Sequence, residues 1–292
     1  MKRGISIIGP AIVLLFLFIT AAPRLCPAAE QEKAEGLFVK EHLNVFVMLF
    51  VFSSFFAYFL LVSRKGRSLY LRKLPGITAM EEAVGRATEM GKPVLFVPGL
   101  DDIDEIQTLA GIAVLGHVAR MVAEYESAII VPTRRAIVMS VCEETVKESF
   151  TAAGRPDAYN ADNIRYLSDD QFAFTAGVNG IMLREKPATN IYMGSFYAES
   201  LILSETGHAS GAIQVAGTAS IMQLPFFIAA CDYTLIAEEF YAASAYLSED
   251  LKVLSGVKAS DYFKIVVIVM LIIGIILATA HPAWLETLQN WF

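Results

Sequence analysis

Between residues 76 and 260 the chain alternates short apolar runs with longer stretches in which apolar residues recur every three or four positions. Pro93-Val94-Leu95-Phe96-Val97 is closed by Pro98-Gly99, and a run so short, rich in β-formers and bounded by turn residues predicts a buried strand. Within 102–126, Ile106, Leu109, Ala113, Leu115, Val118, Met121 and Val122 recur at near-helical spacing and predict a long helix. The same reading predicts strands at 128–131, 164–167, 190–193, 212–216 and 227–231, and helices at 135–153, 169–183, 195–206, 218–224 and 236–249. A helix at 78–90 comes first, with Thr78 as its cap and Glu81 at the capping-box position. The turn-rich stretch 154–163 breaks the alternation once. Strands and helices in strict alternation, joined by short connections, predict an α/β domain with a Rossmann-like, doubly wound, mostly parallel sheet.

The pattern changes on both sides of that domain. Residues 44–63 carry no charge, and a helix of about 20 residues crosses roughly 30 Å of hydrocarbon. Arg64, Lys65, Arg67, Arg72 and Lys73 follow in a basic linker, 64–75. A second predicted span, 264–281, is preceded by Lys252, Lys258 and Lys264 and followed only by His281 and Glu286. Basic residues bracket the domain on both sides, which predicts that it faces the cytoplasm of a bacterial inner membrane. Residues 1–28, with Lys2 and Arg3 ahead of an apolar stretch and Cys26-Pro27-Ala28 at its end, read as a signal peptide or as a first transmembrane helix. Residues 29–43 are then an outer loop, and 282–292 an interfacial tail anchored by Trp284 and Trp291. The uncharged stretch 207–231 is a rival span. Gly207, Gly211, Gly217, Pro225, His208, Gln214 and Gln223 favour buried core instead, with a re-entrant segment as the alternative.

Composition agrees with this layout. Charged residues are 18% of the chain, against about 25% in soluble domains. A net charge of −7 speaks against a nucleic-acid partner. Three cysteines are too few for a disulfide framework or a zinc site, and Cys142 and Cys231, set among apolar residues, read as packing groups.

The segments Pro93–Gly99, Leu109-Ala110-Gly111, Pro132-Thr133, Tyr192–Glu199 and Ala216-Gly217-Thr218 are similar to those of a bacterial membrane-protein family known as a domain of unknown function. The resemblance implies an α/β domain between transmembrane helices. It implies no activity, so function is read from the residues.

In an open α/β sheet, ligands bind beyond the carboxyl ends of the strands. The chain has no GxxxxGK[ST] loop, no GxGxxG after the first strand, no GxSxG elbow and no histidine-based metal motif, and so implies no particular cofactor. Three features remain. Asp101 and Asp102 after one strand and Asp169 after another would converge on a divalent cation if those strands are neighbours; as first-turn acids they equally complement helix dipoles. Ser195 and Glu199 follow Gly194 in a small-residue turn suited to an anion or a carbonyl oxygen, or to an ordinary N-cap, and Thr218 lies in a similar turn. Arg134 and Arg135 beside Thr133 would grip a phosphate or carboxylate, or pair with Asp101 or Asp169. His208 reads as a turn or core histidine.

These features leave three readings. The first is a non-catalytic membrane-tethered scaffold or subunit of a membrane assembly, partnered by the bilayer and by copies of itself or other subunits. The second is a sensor domain for a small anionic ligand. The third is a metal-assisted hydrolase.

Overall fold

The structure, a computed structural model, describes residues 43–64, 74–248 and 251–280. Two compact units are distinguished, 1–51 with 281–292, and 52–280. Of the first, only the opening turns of one helix are described. The predicted signal peptide or first span, the predicted outer loop up to residue 42, the basic residues 65–73 and the predicted tail with Trp284 and Trp291 lie outside the described residues.

Helix α1, Leu43–Arg64, precedes the domain. Then come α2 (Pro75–Glu89), β1 (Val94–Val97), α3 (Ile106–Glu124), β2 (Ile129–Thr133), α4 (Ala136–Ala152), β3 (Ile164–Tyr166), α5 (Gln171–Glu185) and β4 (Thr189–Met193). The domain continues with α6 (Glu199–Ser210), β5 (Ile213–Thr218), α7 (Leu224–Ala230), β6 (Tyr233–Ile236) and α8 (Glu238–Ser248), and α9 (Leu251–Ala280) follows. The six strands form one sheet in the order β3-β2-β1-β4-β5-β6, parallel at every pairing. This is the Rossmann order, in which the chain reverses direction across the sheet between β1 and β4.

Strand periodicity divides the core into two layers. Val94 and Phe96, Ile129 and Val131, and Ile191 and Met193 enter the cluster built with α2, α3, α4 and α8. Their alternates Leu95, Val97, Ile130 and Tyr192 enter the cluster built with α5, α6 and α7. Both faces are covered, which is why the strands read as unbroken apolar runs. Helix α3 is long and apolar enough to cross a membrane, yet most of it is buried inside the domain. It is the domain's core helix, with Val114, Leu115, Val118 and Val122 wholly enclosed.

Several element boundaries differ from expectation. Helix α2 starts at Pro75 behind Leu74, with no side-chain cap, so the predicted Thr78–Glu81 capping box does not form. Proline at the first helical turn sets the start instead, because its missing N–H is one the helix leaves unpaired anyway. Phe227–Cys231 is not a strand. Pro225 opens α7 there, and the sixth strand is Tyr233–Ile236. The predicted helix at 218–224 is the end of β5 followed by a turn. Helices α3 and α6 begin four residues later than expected, at Ile106 and Glu199 rather than 102 and 195. The stretch 207–231 is the end of α6, then β5 and α7, so it belongs to the domain. Residues 264–280 of the predicted span form the later part of a continuous 30-residue helix, whose earlier turns bury Ser255 and Ala259; residue 281 lies outside the described residues.

Candidate functional site at the carboxyl edge of the sheet

The loops after β1 and β4 meet at the reversal point, where doubly wound folds usually open a ligand crevice. Here the two backbones lie against each other. Gly99 has φ +85°, and a Cβ on it would stand 2.7 Å from the amide nitrogen of Ser195. Gly194 has φ +143°, and a Cβ on it would stand 2.6 Å from the carbonyl oxygen of Pro98. The Leu100 N–H donates to the Ser195 carbonyl at 2.9 Å. On α3, Gly111 lets the helix backbone rest on the Met193 carbonyl, 2.4 Å from where its Cβ would be. Glycine serves here for close approach of the two loops and of α3 to β4 at the reversal point.

Polar side chains then tie this edge together. The Tyr197 hydroxyl donates to the Asp101 carboxylate, with oxygens at 2.8 and 2.9 Å. That bond holds the phenol above its ordinary pKa, since the acceptor carboxylate favours the protonated form; partial burial adds to the effect. Glu199 is wholly buried. It accepts from the Tyr197 N–H at 2.7 Å and from the side-chain amide of Gln171 at the start of α5. Arg134 donates to the carbonyl of Asp169 at 2.8 Å and to that of Leu100 at 3.2 Å, joining the loops after β3 and β1. Gln107 on α3 reaches the loop after β5, accepting from the Ala219 N–H at 2.9 Å and from the Thr218 hydroxyl at 3.3 Å. The Ser200 hydroxyl lies 2.8 Å from the side-chain oxygen of Gln223, which stands ahead of α7.

The sequence-derived candidates therefore fall into three groups. Ser195, Glu199, Thr218 and Arg134 do come to one edge, and each is engaged with protein: Ser195 and Thr218 are buried, and Arg134 is spent on two backbone carbonyls. Arg135 only makes a 3.5 Å pair with exposed Asp169. The acids are dispersed among separate tasks. Asp101 accepts from Tyr197, Asp102 accepts from the Ile103 N–H at 2.8 Å, and Asp169 faces Arg135. Asp170, beside it, caps α5 through the Ala173 N–H. Among the described residues no three His, Cys, Asp or Glu side chains stand close enough to hold a metal ion. His208 is exposed near the far end of α6. Gln107, Gln171, Tyr197 and Gln223 are contributors the sequence did not mark; the faint signal was a glutamine within one residue of a helix start, three times over.

A cavity of about 240 Å³ lies at the opposite, amino edge of the sheet, lined in part by Ser127, Phe150, Tyr159, Asn160 and Ile164. Cys142 and Cys231 belong to packing, as expected. Burial pushes each thiol up to about 12, with Asp232 adding to the effect at Cys231.

A family model described as Domain of unknown function (DUF6754) matches residues 33–289, and the chain belongs to that family. No curated protein and no solved structure matches it.

Proposed function

We propose that this chain is a membrane-anchored α/β scaffold: a non-catalytic subunit whose domain is held at the cytoplasmic face of a bacterial inner membrane by α1 and α9. One observation carries the non-catalytic part. The edge where a doubly wound sheet would bind its ligand is occupied by its own backbone and strapped by its own side chains, from Arg134 through Tyr197 to Gln107. Polar groups that an active site would aim at a substrate are spent on holding five loops together.

The membrane part rests on the flanking helices. Exposed Leu271, Ile272 and Ile275 stud the distal half of α9. Basic residues stand at the domain-side end of each apolar stretch, which is the arrangement the positive-inside rule assigns to the cytoplasm. The family match from 33 to 289 takes in both helices together with the domain, which supports reading the domain together with its flanking helices. The partners this reading implies are the bilayer and further subunits, either copies of this chain or other membrane proteins.

Two measurements test it. The full chain, extracted in mild detergent and weighed by native mass spectrometry, should carry additional copies or bound subunits; a bare monomer at all concentrations counts against the assembly role. Thermal unfolding should be indifferent to phosphate, nucleotides and Mg²⁺. A saturable rise in midpoint with phosphate or a nucleotide, lost in Arg134→Ala, would instead establish the anion-sensor reading, and a rise with Mg²⁺ alone would favour the metal-assisted one, because a ligand that binds only the folded state stabilises it by mass action.

A further inference from the structure

The chain leaves the domain at the same edge that carries its most exposed apolar pair. Helix α8 starts at the carboxyl edge, directly after β6, and Glu238 in its first turn pairs with Lys264 of α9. Helix α9 follows α8 in the chain, and the pairing of its Lys264 with Glu238 shows that it runs back along α8 and reaches the carboxyl edge there. From Ile265 to Ala280 it has no charged residue. Beside this exit stands the loop between β5 and α7. Thr218 is paired in register with Ile236, and its carbonyl accepts from the Ala237 N–H at 3.0 Å, one residue before Glu238. Three and four residues beyond Thr218, Ile221 and Met222 are 78% and 82% exposed.

Such exposure is costly in water and is matched by nothing else nearby on the loop. No Asp, Glu, Lys or Arg occurs between Glu205 and Asp232, so the loop would enter an apolar or interfacial medium without stripping water from a charge. Of the acids next to it, Glu238 is neutralised by Lys264, and Glu239 accepts from the Ile236 N–H at 3.3 Å. The half-exposed Ile236 extends the apolar surface toward the α9 exit.

We propose that Ile221 and Met222 form a wedge that dips into the lipid interface beside the root of α9, so that the domain rests on the bilayer by the carboxyl edge of its sheet. The occupant is the membrane that α9 enters, and the inference rests on the anchor reading above. The wedge gives the domain a second point of contact and a fixed orientation, with β5 and β6 nearest the membrane and the amino ends of the strands pointing away.

The test uses lipid-borne quenching of single tryptophans in the full chain. The chain has two tryptophans, so Trp284→Phe with Trp291→Phe provides a silent background. Into it go, one at a time, Met222→Trp in the wedge, Ile272→Trp on α9, and Met90→Trp at the amino edge, where Met90 is also exposed. Each protein is reconstituted in nanodiscs of phosphatidylcholine with and without acyl-chain bromines. Ile272→Trp and Met222→Trp should both lose fluorescence to the brominated lipid, the first more strongly, while Met90→Trp keeps its signal. Quenching at 272 with 222 no more affected than 90 overturns the wedge and leaves the anchor standing. Absence of quenching at 272 overturns the anchor and the wedge with it. A second copy covering Ile221 and Met222 would show itself as an unquenched but blue-shifted 222 signal, and that also overturns the proposal.

Discussion

Gly99 and Gly194 face each other across the reversal point of the sheet, each so close to the other's loop that neither has room for a Cβ. An alanine at either position meets two penalties at once: a left-handed φ, and a backbone atom within 3 Å that cannot swing aside. Together these should cost about 2–4 kcal/mol. Gly154 provides the control, because its φ is +75° but a Cβ there would meet open space. Gly154→Ala should cost only about 1 kcal/mol, for the φ alone. Denaturant unfolding of the three variants separates the effects. Equal losses at 99 and 154 would mean that the two loops do not in fact seal the edge.

A second close approach lies under α6. A Cβ on Gly207 would stand 2.1 Å from the side-chain oxygen of Gln214 and 2.7 Å from the Tyr192 hydroxyl. Those two groups lie 3.0 Å apart in a hydrogen bond, and Gln214 also donates to the carbonyls of Ser204 and Ala230. Gly207→Ala should therefore cost about 3 kcal/mol or more, because it overpacks the site and leaves buried polar groups unpaired. Tyr192→Phe removes one hydroxyl and keeps the shape, so it should cost about 1–2 kcal/mol. Thermal unfolding in detergent ranks the two; the reverse order would refute the packing argument.

The same tyrosine shapes the alkaline limit of stability. Complete burial holds the Tyr192 phenol well above its usual 10. Below pH 10 the phenol is neutral in folded and unfolded chains alike, and its contribution does not vary. Above that value the unfolded chain releases the proton and the folded one keeps it, so stability falls as pH rises, by about 1.4 kcal/mol per pH unit from this group. Unfolding free energies measured from pH 9 to 11 should decline, and Tyr192→Phe should decline less steeply. Tyr197, raised chiefly by its bond to Asp101, is the exposed counterpart. Asp101→Asn should move its ultraviolet titration midpoint back down, with little change in the folded state.

How far the sequence reveals this architecture depends on how local each cause is. Strands β1, β2 and β4 were legible because both faces of each are buried, leaving continuous apolar runs such as Val94–Val97. Strand β6 was not: it lies at the sheet's edge with Tyr233 and Ile236 about half exposed, while the preceding Phe227–Cys231 is more apolar and helical. The late starts of α3 and α6 have a different, non-local origin. Pro98–Glu105 and Gly194–Ala198 follow the contact between Gly99 and Gly194, a pairing that leaves no local trace. The candidate residues Ser195, Glu199, Thr218 and Arg134 were visible as turn chemistry, but their partners were not. Thr218 and Gln107 are 111 residues apart, and nothing in either neighbourhood announces the other.

The two adjacent arginines test whether the strap or the surface charge holds the carboxyl edge. Arg134 and Arg135 are one residue apart with the same charge, yet their surroundings differ. Arg134 satisfies two backbone carbonyls on different loops, and its loss leaves the Leu100 carbonyl in a part-buried place without that donor. Hydrogen bonds from a charged donor contribute about 1.5–3 kcal/mol, so Arg134→Ala should lower stability by about that much and loosen the loops after β1 and β3 together. Arg135 and Asp169 are 39% and 64% exposed and 3.5 Å apart, a solvent-screened pair worth about 0–1 kcal/mol. Arg135→Ala should be correspondingly mild, and its small effect should fade in high salt. Amide hydrogen exchange at Leu100 supplies a local readout: its N–H, bonded to Ser195, should exchange faster in Arg134→Ala and unchanged in Arg135→Ala. If the two substitutions cost the same, or if Arg135→Ala alone frees the Leu100 amide, the carboxyl edge is held by net charge and the strap assigned here is not its cause.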